Sequence, residues 1–168
     1  SGAIYTAGEY AQLADILDAH PHVWVVADEI YEHLSYTPFT SFADAAPHLR
    51  DRTLIVNGVS KAWSMTGWRI GWGIGPAALI RDMTSVQGQI TSGASSVSQA
   101  AALAALQSDR QLLEARRATF LARRDATIDG LNAIPGLTCP APDGAFYAFP
   151  DCSALIEGRF DNDAALCQ

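Results

Sequence analysis

Two short apolar runs, Val23-Trp24-Val25-Val26-Ala27 and Thr53-Leu54-Ile55-Val56, constrain the fold of this chain more than any other feature. Each is continuous rather than alternating and rich in β-branched residues, the pattern of a parallel strand covered on both faces. Each then turns polar at once, into Asp28-Glu29 after the first and Asn57-Gly58 after the second. Open α/β sheets bind their ligands beyond the C-terminal ends of such strands, so the chemistry is expected there.

The neighbouring segments fit the same layered architecture. Thr6 with Glu9 three residues on forms a capping-box signature, and Tyr10, Leu13, Ile16 and Leu17 continue it as a helical apolar stripe that ends near His20-Pro21. Trp68 to Ile74 reads as a third strand, in which Gly71 and Gly73 suggest a close backbone approach. Gly75-Pro76 then opens a helix from Ala77 to about Ile90, proline being suited to a first helical turn. Beyond the small, polar linker from Ser92 to Ser98, Gln99 to Ile134 has helical spacing at Leu113, Phe120, Leu121, Ile128 and Leu131. It reads as one long helix, or two with a break near Ser108-Asp109. Pro135-Gly136 stops it, and Leu137 to Phe149 reads as the entry to a second, α+β module in which Gly144 to Tyr147 forms a strand.

Composition narrows the partners. A chain of 168 residues, 49% hydrophobic and 17% charged, can bury one ordinary core, while a net charge of -7 with only 11 Lys and Arg argues against a nucleic-acid surface. No apolar run is long enough to span a bilayer, so no membrane role is expected. Cys139, Cys152 and Cys167 are odd in number and lack C-x-x-C spacing, which fits a reducing cytoplasm. The four histidines are too scattered for a metal centre. Arg116, Arg117, Arg123 and Arg124 fall among Asp109, Glu114 and Asp125, as on a solvated ion-pair face. The chain opens on Ser1-Gly2 and closes on an incipient helix from Asn162 to Gln168, and it reads as a piece of a longer one.

The two strand ends carry the reactive groups. Asp28-Glu29-Ile30-Tyr31 follows the first run, Asn57 to Lys61 follows the second, and Arg69 lies eight residues beyond that lysine. A carboxylate, a phenol, an amine and a guanidinium can thus converge on one small ligand. A lysine beside buried apolar structure suits imine chemistry with a carbonyl.

At these residues the chain resembles the class I/II aminotransferases, fold-type I pyridoxal-phosphate enzymes of the aspartate aminotransferase type. The resemblance is carried by V-V-A-D-E-I-Y from Val25 to Tyr31 and by N-G-V-S-K-A-W-S-M-T-G-W-R-I-G-W from Asn57 to Trp72, with P-D-G-A-F-Y from Pro142 to Tyr147 in support. It implies an α/β fold: the second half of the large domain, with a mostly parallel sheet and flanking helices, then a long connecting helix and the start of a small α+β domain. The implied boundaries are 1–98, 99–135 and 136–168. It implies pyridoxal 5'-phosphate as cofactor, an amino acid and a 2-oxo acid as substrates, and a homodimer.

The resemblance also implies a role for each candidate. Lys61 matches the Schiff-base lysine that moves the substrate proton, and Asp28 the carboxylate that keeps the pyridine nitrogen protonated. Tyr31 matches the phenol on the ring oxygen, and Arg69 the guanidinium on the phosphate. Many relatives place a phosphate-binding serine three residues before the lysine. Gly58 stands there, so that contact is lost or handed to Ser60. The phosphate-cradling loop, the ring-stacking aromatic, the ring-oxygen asparagine and the substrate-carboxylate arginine of the family have no match in this chain. The matched residues serve cofactor more than substrate. A lyase using the same cofactor and a non-catalytic cofactor sensor therefore remain open beside the transaminase that the resemblance favours.

Overall fold

The computed structural model describes residues 2–168 and has the mixed α/β architecture expected. Helix α1, Ala7–Asp18, starts at the capping box: Glu9 N–H donates to Thr6 Oγ1 at 3.2 Å, and Glu9 Oε2 accepts from Thr6 N–H at 2.7 Å. Two orphan amides at the helix start are thereby satisfied. Strand β1, Val25–Asp28, follows, and then β2, Thr53–Gly58, and β3, Gly71–Ile74. They form a three-stranded sheet in the order β1-β2-β3.

The sheet is mixed. β1 and β2 run parallel, with Val25 opposite Thr53 and Asp28 opposite Val56, whereas β2 and β3 run antiparallel, with Ile55 opposite Ile74 and Gly58 opposite Gly71. The expectation of a mostly parallel sheet therefore holds for one of its two pairings. Residues 59–70, which join β2 to β3, hold only a single turn of 3-10 helix at Thr66–Trp68 and no crossover helix to carry the chain over a sheet face, so β3 returns antiparallel. Only β2 is buried along most of its length; Val26 of β1 and Ile74 of β3 are exposed.

Glycine permits the close β2–β3 approach at Gly58. A Cβ there would lie 2.8 Å from the Ile70 carbonyl oxygen and 2.9 Å from Gly71 Cα. Trp68 to Ile70, expected to be strand, is not. Thr66–Trp68 forms a turn of 3-10 helix, and Arg69 takes left-handed backbone angles of 55° and 46°. Apolar spacing alone does not distinguish a strand from a turn that also buries Ile70.

Helix α3 spans Ala77–Ile90 with Pro76 as its N-cap. The region after it resolves into two helices, α4 at Ser96–Leu106 and α5 at Gln111–Asn132, separated near Ser108-Asp109. A short helix α2, Phe42–Ala45, lies between β1 and β2, and two more single-turn helices, α6 at Ser153–Ile156 and α7 at Asp163–Leu166, close the chain.

The core has two parts. Ala14, Phe42, Ala46 and Leu49 pack α1 and α2 against the sheet, while Val59, Ala62, Trp63, Ile70 and Ala102 bury the loop beyond β2 under α4. Trp63 belongs to this second cluster, whereas Trp68 is exposed. The four arginines of α5 do not form one solvated face. Arg116 donates to the Ala62 carbonyl at 3.2 Å, and Arg124 donates to the Pro142 carbonyl at 3.1 Å while lying over the Tyr36 ring. Among the described residues, no helix is long and apolar enough to cross a membrane.

Candidate active site

Because β1 and β2 are parallel and β3 returns antiparallel, one end of the sheet gathers the end of β1, the end of β2 and the start of β3. Asp28 closes β1, Ser60 and Lys61 follow β2, and Arg69 precedes β3. A Val59 N–H to Ile70 carbonyl bond of 3.4 Å continues the β2–β3 register past Gly58 and Gly71. Ser60 follows that bond in sequence on one side and Arg69 precedes it on the other. Four of the five candidates thus sit at strand ends that the topology brings together, and Tyr31, three residues beyond Asp28, is the fifth.

The amine has an aromatic setting. Lys61 Nζ lies 6.0 Å from the centre of the Tyr31 ring and 5.9 Å from that of Phe146, at the outer reach of a cation–π contact. Among the described residues, Lys61 makes no ion pair. Asp28 Oδ1 accepts from the Ile30 N–H at 3.2 Å, in the tight turn that carries the chain on to Tyr31. Tyr31 Oη stands 2.6 Å from Tyr147 Oη. Burial pushes the Tyr31 phenol well above its ordinary range, and the bond to Tyr147 and the nearby Asp28 charge push the same way.

The loop after β1 is tied to the loop after β2. Asn57 Nδ2 donates to Glu32 Oε2 at 2.7 Å, and His33 sits edge-on to Trp63 with ring centres 5.2 Å apart. Glu29 anchors the next stretch: Ser41 Oγ donates to its Oε1 at 2.9 Å and the Phe42 N–H donates at 3.0 Å. Burial nevertheless raises the Glu29 carboxyl above its usual range, with these two bonds and the Glu32 and Asp44 charges as smaller effects.

Arg69 is exposed and donates through Nη1 to the Thr66 carbonyl at 3.0 Å, with no acidic partner among the described residues. Its guanidinium is therefore not neutralised from within. A cavity of about 950 Å³ is lined by Glu32, Asn57 and Trp72 and touches none of the five candidates. One of about 600 Å³ takes in Asp28, Tyr31 and Tyr147. Chemistry rather than volume marks the site, since the larger cavity is an open face of the sheet with no reactive amine.

The structure adds two aromatic residues that the sequence reading passed over. Gly144 to Tyr147, expected as a strand of the small domain, makes only an isolated bridge from Gly144 to Ser35. Ala145 has a φ of 58°, which breaks the extended run and turns Phe146 and Tyr147 onto Tyr31. In the sequence these two residues show only as part of the P-D-G-A-F-Y stretch, whose Asp143-Gly144 turn gives a bend but not its target.

The family model for aminotransferase class I and II matches residues 1–168. The chain belongs to the class I and II aminotransferases. It is 49% identical to an aspartate aminotransferase of Rhizobium meliloti over 99% of its own length, which is 43% of that relative. It is also 49% identical to an aspartate/prephenate aminotransferase of Cereibacter sphaeroides, over 93% of this chain and 40% of the other. The crystal structure of the aspartate aminotransferase from Rhizobium meliloti superposes on it with a TM-score of 0.95 at 46% identity, covering 99% of this chain and 44% of that one. The chain thus spans about two fifths of the length of the curated relatives it matches.

Aminotransferases of this class use pyridoxal phosphate. The groups at the strand ends suit it: a carboxylate, a phenol, and an amine and a guanidinium that have no acidic ion-pair partner among the described residues. A pyridine ring, a phenolic oxygen, an aldehyde and a phosphate require that donor set.

Proposed function

We propose that the protein carrying this chain is a pyridoxal-phosphate-dependent aminotransferase that moves an amino group from an amino acid, aspartate foremost, to a 2-oxo acid. The observation that carries this reading is the placement of the Lys61 amine beyond β2, facing the touching Tyr31 and Phe146 rings and beside the strand that ends in Asp28. The names of the relatives support aspartate as the donor.

In this reading Lys61 holds the cofactor, and its Nζ, once released by the incoming amino acid, takes the proton from the substrate carbon and returns it at the acceptor carbon. The Asp28 carboxylate keeps a proton on the ring nitrogen. The Tyr31 hydroxyl would donate to the ring oxygen, and the Arg69 guanidinium, with help from Ser60 Oγ, would hold the phosphate through charge-assisted hydrogen bonds. When bound, the cofactor supplies the electron sink that makes the substrate proton removable.

The same reading includes a cytoplasmic homodimer and a division of the chain at 1–98, 99–135 and 136–168 into cofactor layer, connection and small domain. Apolar side chains exposed on β1, α3 and α4, among them Val26, Ile90 and Val97, support further cover by protein. Sedimentation of the full-length protein should give twice the monomer mass.

The functional test follows nitrogen. Full-length protein given isotopically labelled aspartate and a 2-oxo acid should deliver the label to the amino acid formed from that oxo acid, and Lys61→Ala should not. Release of labelled ammonia without a labelled amino acid would replace transfer by elimination.

A further inference from the structure

The segment from Pro142 to Tyr147 is fastened more firmly than its lack of regular structure suggests. The Gly144 N–H donates to the Gly2 carbonyl at 3.0 Å, the Ala145 N–H to the Leu34 carbonyl at 3.0 Å, and the Tyr36 N–H to the Asp143 carbonyl at 2.7 Å. Two side chains add to these, since the Tyr36 hydroxyl donates to the Ala145 carbonyl and Arg124 reaches the Pro142 carbonyl from α5. A Cβ on Gly144 would lie 2.7 Å from Ile4 Cδ1, a movable side-chain end, and 3.2 Å from the Leu34 carbonyl oxygen, so glycine sits there without displacing its neighbours. The left-handed backbone at Ala145 then aims the two residues that follow. A strained, non-glycine residue persists only where its surroundings hold it, and such residues cluster at functional sites.

Fastening at this level has one visible result. The Tyr147 hydroxyl is brought 2.6 Å from the Tyr31 hydroxyl, across 116 residues of sequence, while the rings meet edge-on with centres 5.7 Å apart. Phe146, stacked on Phe120 of α5, meets the Tyr31 ring edge-on, and the Lys61 amine faces both rings. Two phenols in contact must share donor and acceptor roles, and each can do both. If Tyr31 gives its proton to a ligand oxygen, its own oxygen is left as acceptor, and Tyr147 is the group positioned to donate to it. Hydrogen bonds in such a chain strengthen one another.

We propose that Tyr147 is a positioning residue for the reaction: by donating to the Tyr31 oxygen it orients that phenol and makes it a stronger donor to the ring oxygen of the cofactor. This rests on the aminotransferase reading above. A stronger donor stabilises the form in which the ring oxygen carries its full negative charge, which is the form that has lost the proton shared with the lysine nitrogen. Tyr147 therefore lowers the pH midpoint of the visible absorbance change of the cofactor held on Lys61, and its loss raises it.

The experiment is a titration of that visible band in the full-length, cofactor-loaded protein and in Tyr31→Phe, Tyr147→Phe and the double variant. Tyr147→Phe keeps the ring and its packing and removes one hydroxyl. The midpoint should rise by about half to one pH unit in Tyr147→Phe and further in Tyr31→Phe, with the double variant no higher than Tyr31→Phe alone, because Tyr147 acts only through Tyr31. A band that forms normally on Lys61 with a midpoint that Tyr147→Phe leaves unmoved, or a double variant in which the two shifts add, overturns the role of Tyr147 and leaves the aminotransferase reading standing. A wild-type protein that forms no band refutes that reading, and this role with it.

Discussion

Arg69 combines a functional guanidinium with an unfavourable backbone, and two substitutions separate these properties. Its φ of 55° and ψ of 46° lie in the left-handed region, which costs a non-glycine residue about 1–2 kcal/mol. Arg69→Ala removes the guanidinium and keeps that cost. Arg69→Gly removes both. Each loses the Nη1 bond to the Thr66 carbonyl, which is exposed and lies near the lower end of the roughly 0.5–1.5 kcal/mol range for a hydrogen bond. Glycine also gains about 0.4–1 kcal/mol of unfolded-chain entropy, which opposes the relief. The net expectation is that Arg69→Gly is more stable than Arg69→Ala by about 0.5–1 kcal/mol, read as a higher urea midpoint at unchanged slope. Cofactor retention should not distinguish them. Both lose a charge-assisted phosphate contact of about 1.5–3 kcal/mol, or roughly 10- to 150-fold in Kd, measured by dialysis against decreasing pyridoxal phosphate. An alanine variant as stable as the glycine variant would refute the left-handed backbone, and full retention in both would refute the phosphate role.

Two further perturbations test the frame around the site. Burial raises the Glu29 carboxyl above the usual carboxylate range, so its contribution to stability is complete below that range and fades as pH rises through its folded value. Glu29→Gln should therefore stabilise the protein at about pH 7 and give no advantage at about pH 4, in thermal melts at both; an advantage equal at both would exclude ionisation as its cause. Gly58→Ala should cost about 1–3 kcal/mol, because the new methyl meets backbone atoms of β3 that can yield only by parting the strands. Urea unfolding reads that cost, and an unchanged midpoint would mean that the β2–β3 approach is looser than described.

Much of this arrangement is legible in the residues themselves. The Thr6 and Glu9 capping box, the extent of Ala77–Ile90 and the break near Ser108-Asp109 follow from local chemistry, and the structure has all three. Asp28 and Lys61 are legible as strand-end residues because continuous β-branched runs precede them. What local pattern does not carry is direction and long-range approach. Trp68-Arg69-Ile70 alternates like a strand, yet the left-handed angles at Arg69 make it the end of a turn. Arg116 and Arg124 are charged in a way that suggests solvent, but carbonyls of the 62 and 142 segments receive them. Tyr147 was passed over for the same reason, since its partner is 116 residues away and no spacing rule reaches that far.

The central claim is that Lys61 carries the cofactor, and one measurement bears on it most directly. Full-length protein is mixed with pyridoxal phosphate, reduced with borohydride, digested, and searched by mass spectrometry for the peptide bearing the reduced cofactor. The account predicts a single modified residue, Lys61, and no modification in Lys61→Ala. A reduced cofactor on any other amine, with Lys61 recovered unmodified, would contradict it.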